Sequence, residues 1–89
     1  MNISKNIIVK GRVQGVGYRF SAKKAAEKMN ITGTIKNLPD GLVEIYASGD
    51  SLNMERFIEW CHEGPNLAKV TQVIAIDIPY QGFKKFSIL

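Results

Sequence analysis

The segment GRVQGVGYR, residues 11–19, carries residue types that are suited to binding an anion. Its two turn glycines, Gly15 and Gly17, lie between an apolar run and a helix-like run that starts at Phe20. A glycine turn that opens a helix leaves several backbone N–H groups unpaired, and the helix dipole adds positive potential at that end. The segment therefore predicts an anion site, most naturally one for a phosphate group.

Arg19 lies where this loop meets the helix, and its planar guanidinium can bind two phosphate oxygens at once. A plainer interpretation stays open beside this one. Many strand–turn–helix junctions contain two glycines for turn geometry alone, and Arg19 can be a solvated helix residue. Short glycine motifs are weak evidence by themselves.

The segment KNLPDG, residues 36–41, predicts a hairpin loop between two strands. Pro39 presets φ and Gly41 permits a positive φ, which is the chemistry of a tight turn. Asn37 stands at the end of the incoming strand. Asn side chains often bond to nearby backbone, so these residues alone favour a turn-stabilising role for Asn37.

Hydrophobic periodicity predicts the elements that must position these residues. We expect strands at residues 7–13, 32–37, 42–48, 70–78 and 83–88, and helices at residues 20–29 and 52–63, the second capped by Asp50 or Ser51. Both helices carry an apolar stripe, and both can bury it on one face of one sheet. Right-handed crossovers then give a ferredoxin-like βαββαβ sandwich, with antiparallel strand order 4-1-3-2 and a short C-terminal strand.

Length and composition predict one domain over residues 1–89. The chain is 45% apolar and 22% charged, which allows a core and argues against disorder. The net charge of +4 fits steering of anionic substrates, but it equally fits an ordinary solvated surface. The N-terminus has no signal-peptide core and no apolar run approaches the length of a membrane span, so we expect a cytoplasmic protein without membrane contact.

The other candidate reactive residues favour structural roles. Cys61 is the single cysteine, which excludes an internal disulfide and a cysteine-based zinc site, and it is expected to be a small core residue. His62, the only histidine, is expected at the surface near a helix C-terminus. Glu55 and Glu59 suggest a solvated helix face, and Trp60 suggests packing.

The ordered set of these motifs resembles the acylphosphatase family over nearly all of the chain. GRVQGVGYR is similar to that family's phosphate-loop signature, and KNLPDGLVEIYASG is similar to its second signature. The segment from Gly64 to Val70 and the ending Phe86-Ser87-Ile88 follow in the family's order and spacing. Three departures from the family's pattern occur, at positions 18, 34 and 66, and none removes a residue that the family's chemistry uses.

The resemblance implies hydrolysis of acyl phosphates to a carboxylate and inorganic phosphate, without a metal or other cofactor. Arg19 and Asn37 would be the catalytic residues, with Asn37 orienting the attacking water. The backbone N–H groups of the loop would hold the phosphate oxygens, which gives the expected phosphate-binding residues Gln14, Gly15, Val16, Gly17, Tyr18 and Arg19. The expected ligands are a small acyl phosphate and inorganic phosphate, the latter as product and competitive inhibitor, and the protein is expected to be a monomer.

Two other functions stay open. A nucleic-acid-binding module of the same fold class would need exposed aromatic residues on its two central strands, where this chain offers only Tyr46, so nucleic acid is not an expected partner. A non-catalytic domain that binds phosphate or carbamoyl phosphate would resemble the acylphosphatase-like part of larger hydrogenase maturation proteins. Those continue into cysteine-rich zinc segments, whereas this sequence has one cysteine, which favours the free-standing enzyme.

Overall fold

Two helices pack on a five-stranded sheet in the computed structural model, which describes all of residues 1–89. The elements, in chain order, are β1 (Asn2–Arg12), α1 (Tyr18–Lys28), β2 (Thr32–Asn37), β3 (Val43–Asp50), α2 (Ser51–Glu63), β4 (Lys69–Ile78) and β5 (Phe86–Ile88). The strand order is β4-β1-β3-β2-β5, in which β5 pairs parallel with β2 and the other neighbours are antiparallel. The predicted ferredoxin-like sandwich and its 4-1-3-2 strand order are confirmed.

The register of the sheet places Asn37 on the face that the helices cover. Ile35 of β2 lies opposite Ile45 of β3, and Asn37 lies opposite Val43. Ile35, Ile45 and Val43 are all fully buried core residues. Since side chains of a strand alternate between faces, Asn37 shares the face of Ile35 and points to the helix side of the sheet.

The buried residues of the helices are those that periodicity predicts. Ala22, Ala25 and Ala26 of α1 are buried, as are Met54, Phe57 and Cys61 of α2. The N-cap of α2 is Asp50, whose Oδ2 accepts a hydrogen bond of 3.0 Å from the backbone N–H of Leu52.

Several element boundaries differ from the predicted ones. The first strand begins at Asn2 rather than at residue 7. Residues 2–6 are mostly polar, so apolar periodicity does not reveal them, but they pair with the end of β3. The last strand begins at Phe86 rather than at residue 83. The first helix begins at Tyr18 rather than at Phe20, with the left-handed Gly17 as its N-cap residue. This last difference moves Tyr18 and Arg19 from the loop into the first helical turn.

Candidate active site

The loop between β1 and α1 presents a row of unpaired backbone N–H groups. Gly15 and Gly17 both have positive φ, 74° and 77°, a conformation that glycine adopts without steric cost. The backbone N–H groups of residues 14–19 make no hydrogen bond within the chain, and the helical ladder starts with Ser21 N–H donating to Gly17 O at 3.0 Å. Unpaired N–H groups at a left-handed turn and a helix N-terminus form a concave anion site.

Arg19 adds a full positive charge at this helix end. Its side chain is partly exposed and takes part in no ion pair and no hydrogen bond of the chain. It lines the same pocket as Gly15 and Gly17. The guanidinium donors of Arg19 are therefore free for an external anion.

Asn37 contributes a buried polar atom without a protein partner. Its Oδ1 is buried and accepts no hydrogen bond. The hairpin turn is closed by other groups: Leu38 N–H donates to Leu42 O at 2.8 Å, and Gly41 N–H donates to Leu38 O at 3.2 Å. The turn-stabilising interpretation of Asn37 therefore has no contact that supports it. An unpaired buried oxygen is costly, and a ligand or water that donates to it removes that cost.

A cavity of about 180 Å³ brings the two predicted catalytic residues together. Its lining residues are Val13, Gly15, Gly17, Tyr18, Arg19, Phe20, Asn37 and Ile88. Of the residues predicted to bind phosphate, Gln14 and Val16 do not line the cavity. Their backbone N–H groups remain unpaired, so a contact through the backbone stays a prediction.

The prediction for Gln14 concerns its backbone N–H, whereas its side chain bonds to the β2–β3 hairpin. It donates two hydrogen bonds to carbonyl oxygens of the hairpin, to Leu38 at 2.9 Å and to Leu42 at 2.8 Å. These bonds join the β1–α1 loop, residues 13–17, to Leu38, which follows Asn37, and to Leu42. The Gln14 side chain thus links the loop that carries Gly15 and Gly17 to the hairpin that follows Asn37.

The side chain of Tyr18 is part of the hydrophobic core. The ring is 1% exposed and lies 5.3 Å from the Trp60 ring, centroid to centroid, and its O–H donates to the Cys61 carbonyl oxygen at 2.8 Å. Burial raises the pKa of the Tyr18 hydroxyl, so this donor stays protonated. Tyr18 can therefore reach a bound anion only through its backbone N–H.

Four residues expected to have structural or surface roles have the predicted burial or exposure, namely Cys61, His62, Glu55 and Glu59. Cys61 is fully buried, and this burial raises the pKa of its thiol to about 12, which excludes a reactive thiolate near neutral pH. His62, Glu55 and Glu59 are exposed. No three His, Cys, Asp or Glu side chains lie close enough together to ligate one metal ion, and neither helix has the length and apolar character needed to span a bilayer.

Two lining residues, Phe20 and Ile88, were not among the predicted site residues. Phe20 follows Arg19 in the first turn of α1, and Ile88 reaches the pocket because β5 pairs with β2, with Ile88 opposite Ile35. The signal for Ile88 is the apolar alternation of Phe86 and Ile88 at the end of the chain. That alternation predicts a strand but does not indicate which neighbour it pairs with.

Fold and pocket together define a ferredoxin-like α/β protein with unpaired N–H donors and a free Arg19 guanidinium at the N-terminus of α1. More specifically, the chain belongs to the acylphosphatase family, since the family model described as Acylphosphatase matches residues 5–88. It is an enzyme of that class.

Individual relatives agree with this membership. An acylphosphatase of Marinobacter nauticus is 47% identical over 74 residues, which cover 83% of this chain and 80% of the relative. The solved structure of an acylphosphatase from Coxiella burnetii superposes with a TM-score of 0.96 at 35% identity, covering 99% of this chain and 93% of the other.

A similar fold also occurs inside a much larger protein. The crystal structure of full-length HypF in its phosphate- and nucleotide-bound form matches with a TM-score of 0.88 at 27% identity. The match covers 100% of this chain but only 12% of HypF. The fold alone therefore does not separate a free-standing enzyme from a domain of a larger one.

Proposed function

We propose that this chain hydrolyses the carboxyl–phosphate bond of acyl phosphates through the pocket between the loop and the sheet. The observation that carries this proposal is a pairing of unsatisfied groups. Residues with free N–H and guanidinium donors line the same pocket as Asn37, whose buried Oδ1 has no partner. Donors suit the phosphate oxygens, and the acceptor suits a water molecule.

The loop N–H groups and Arg19 hold the phosphoryl group and neutralise its charge. Phosphoryl transfer depends mostly on positioning and electrostatic stabilisation, with little covalent chemistry for the protein to do. Donors that are already fixed at the position of developing charge reorganise little during the reaction. Positive charge from Arg19 and the helix N-terminus supplies this stabilisation without a metal ion.

Asn37 orients the attacking water. A water that donates one hydrogen to the Oδ1 of Asn37 can direct a lone pair at phosphorus. The bond from water oxygen to phosphorus forms as the bond from phosphorus to the acyl oxygen breaks, which releases a carboxylate and inorganic phosphate, and the water proton passes to solvent. A carboxylate is a good leaving group, so this step needs no strong general base.

The proposed ligands and setting follow from this chemistry. Inorganic phosphate, the product, occupies the same donors as the substrate and should inhibit competitively. We propose a monomer that acts in the cytoplasm on small acyl phosphates, without nucleic acid or membrane as a partner.

The direct test is hydrolysis of benzoyl phosphate and acetyl phosphate by the purified chain in a chelator such as EDTA. We expect phosphate release well above the uncatalysed rate, unchanged when magnesium or zinc is added. Activity that vanishes in chelator and returns with metal would overturn the metal-free mechanism. Binding of inorganic phosphate without hydrolysis of either compound would favour a non-catalytic phosphate-binding domain, the role that the likeness to a segment of HypF keeps as the second candidate.

A further inference from the structure

The mouth of the pocket carries an aromatic side chain that the core does not use. Phe20 lines the pocket and is 62% exposed. Successive residues of a helix are separated by about 100° around its axis, so Phe20 stands roughly 200° from the buried Ala22, on the side opposite the core. Its ring therefore contributes little to folding, while it adds apolar surface beside Arg19.

Lys24 holds this ring from the next turn of the helix. Its Nζ lies 5.3 Å from the centroid of the Phe20 ring, within the range of a cation–π interaction. The contact restricts the ring and places a second positive charge near the mouth. An exposed aromatic ring next to a pocket that carries Arg19 is an arrangement suited to a ligand with an anionic end and an apolar end.

The geometry of the proposed reaction directs the acyl group toward this ring. In an in-line displacement the attacking and leaving oxygens lie on opposite sides of phosphorus. The Oδ1 of Asn37, a residue that lines the pocket, is buried, so a water that donates to it attacks from the buried side. The leaving acyl group must then point outward, where the exposed lining side chains are Phe20 and Ile88, the latter 40% exposed.

We propose that Phe20, with Ile88 beside it, contacts the acyl group and makes this enzyme prefer acyl phosphates with an aromatic or similarly flat apolar acyl group. This inference rests on the proposed function and assigns the substrate class within it. An aromatic acyl group can stack on the ring of Phe20, whereas an acetyl group is too small to cover it.

The test compares kcat/KM for benzoyl phosphate and acetyl phosphate in Phe20→Ala. We expect the ratio of benzoyl to acetyl kcat/KM to fall by about 3- to 10-fold, the range of a single aromatic contact. Phe20→Tyr keeps the ring and should keep the ratio. Leu52→Ala removes a side chain that is 53% exposed on α2, outside the pocket, and should also leave the ratio unchanged.

Each failure has its own signature. If the wild-type chain hydrolyses both substrates and Phe20→Ala leaves the ratio unchanged, this inference is wrong and the proposed function stands. An equal loss for both substrates, matched by weaker inhibition by inorganic phosphate, would place Phe20 in phosphate binding and also overturn the inference. If the wild-type chain hydrolyses neither substrate, the proposed function fails, and the assigned acyl group fails with it.

Discussion

At the scale of single residues, the pocket contains two different kinds of free polar group, a cation at Arg19 and a hydrogen-bond acceptor at Asn37. Arg19 is an unpaired cation at a helix N-terminus, where the dipole already favours an anion. Asn37 is a neutral side chain whose buried oxygen lacks a partner. If Arg19 binds phosphate and Asn37 orients water, as we propose, substitutions at these two positions should have different kinetic signatures.

The shape of the Arg19 guanidinium should matter as much as its charge. Arg19→Lys keeps the charge but loses the planar fork that binds two oxygens. We expect it to lower kcat/KM nearly as much as Arg19→Ala, by roughly 10²-fold or more. Inhibition by inorganic phosphate should weaken in parallel, because the product uses the same donors. Steady-state kinetics with and without phosphate measure both effects.

Arg56→Lys is the matched control, since Arg56 is exposed on α2 and does not line the pocket. It should leave both kinetic quantities unchanged. Near-normal activity and phosphate affinity in Arg19→Lys would reduce Arg19 to a point charge or a bystander.

At the scale of elements, the Gln14 side chain connects the β1–α1 loop to the β2–β3 hairpin. The amide of Gln14 donates to the carbonyl oxygens of Leu38 and Leu42, and Leu38 directly follows Asn37. β1 and β3 pair directly up to Val9 opposite Val43, and the Gln14 side chain adds a connection beyond the last paired residues. In the proposed mechanism, this connection keeps a water held by one element aligned with a phosphate held by the other.

Removal of this connection should impair catalysis through Asn37. We expect Gln14→Ala to lower kcat by roughly 10-fold, because small displacements from the reactive geometry are costly. It should also lower the free energy of unfolding by about 1–2 kcal/mol, since the carbonyl oxygens of Leu38 and Leu42 each lose one of their two donors and keep only the backbone N–H. Gln72→Ala, at an exposed position of β4, is the control and should change neither quantity.

A double-mutant cycle separates positioning from general damage. If Gln14 acts by placing Asn37, the double variant Gln14→Ala/Asn37→Ala should have nearly the kcat of Asn37→Ala alone. Fully additive losses of kcat would show that Gln14 acts independently of Asn37, and the positioning role would then be wrong.

At the scale of the whole molecule, the sequence predicts the sheet and the two site segments from local signals, whereas the catalytic roles of Arg19 and Asn37 follow from the family resemblance and stay predictions. Two glycines before a helix pattern, and Asn37 before a turn, need no distant contact to be recognised. The strand order follows from apolar alternation and from two helix stripes that must share one sheet face. The glycine turn, the hairpin and the helix stripes lie in short windows of the chain, and the structure contains the turn, the hairpin and the predicted strand order.

The features that the sequence does not reveal depend on partners far along the chain. The Gln14 side chain bonds 24 residues away at Leu38, and the Tyr18 hydroxyl bonds 43 residues away at Cys61. Ile88 reaches the pocket only because β5 pairs with β2. The predicted start of α1, Phe20, lies two residues after the observed start at Tyr18. Gly17 caps the helix by its backbone conformation, so no capping side chain marks the start in the sequence.

The central claim, that the loop and Arg19 hold phosphate while Asn37 orients water, is tested most directly by kinetics of Asn37→Ala with phosphate as inhibitor. We expect kcat to fall by roughly 10²-fold or more, while the inhibition constant of inorganic phosphate changes by less than about 2-fold. Because the Asn37 side chain makes no hydrogen bond, its loss should change the free energy of unfolding by less than about 1 kcal/mol. Asn6→Ala, which removes an Asn from β1 whose partner is Glu44, is the control and should keep wild-type kcat. A folded Asn37→Ala protein with wild-type kcat would contradict the account.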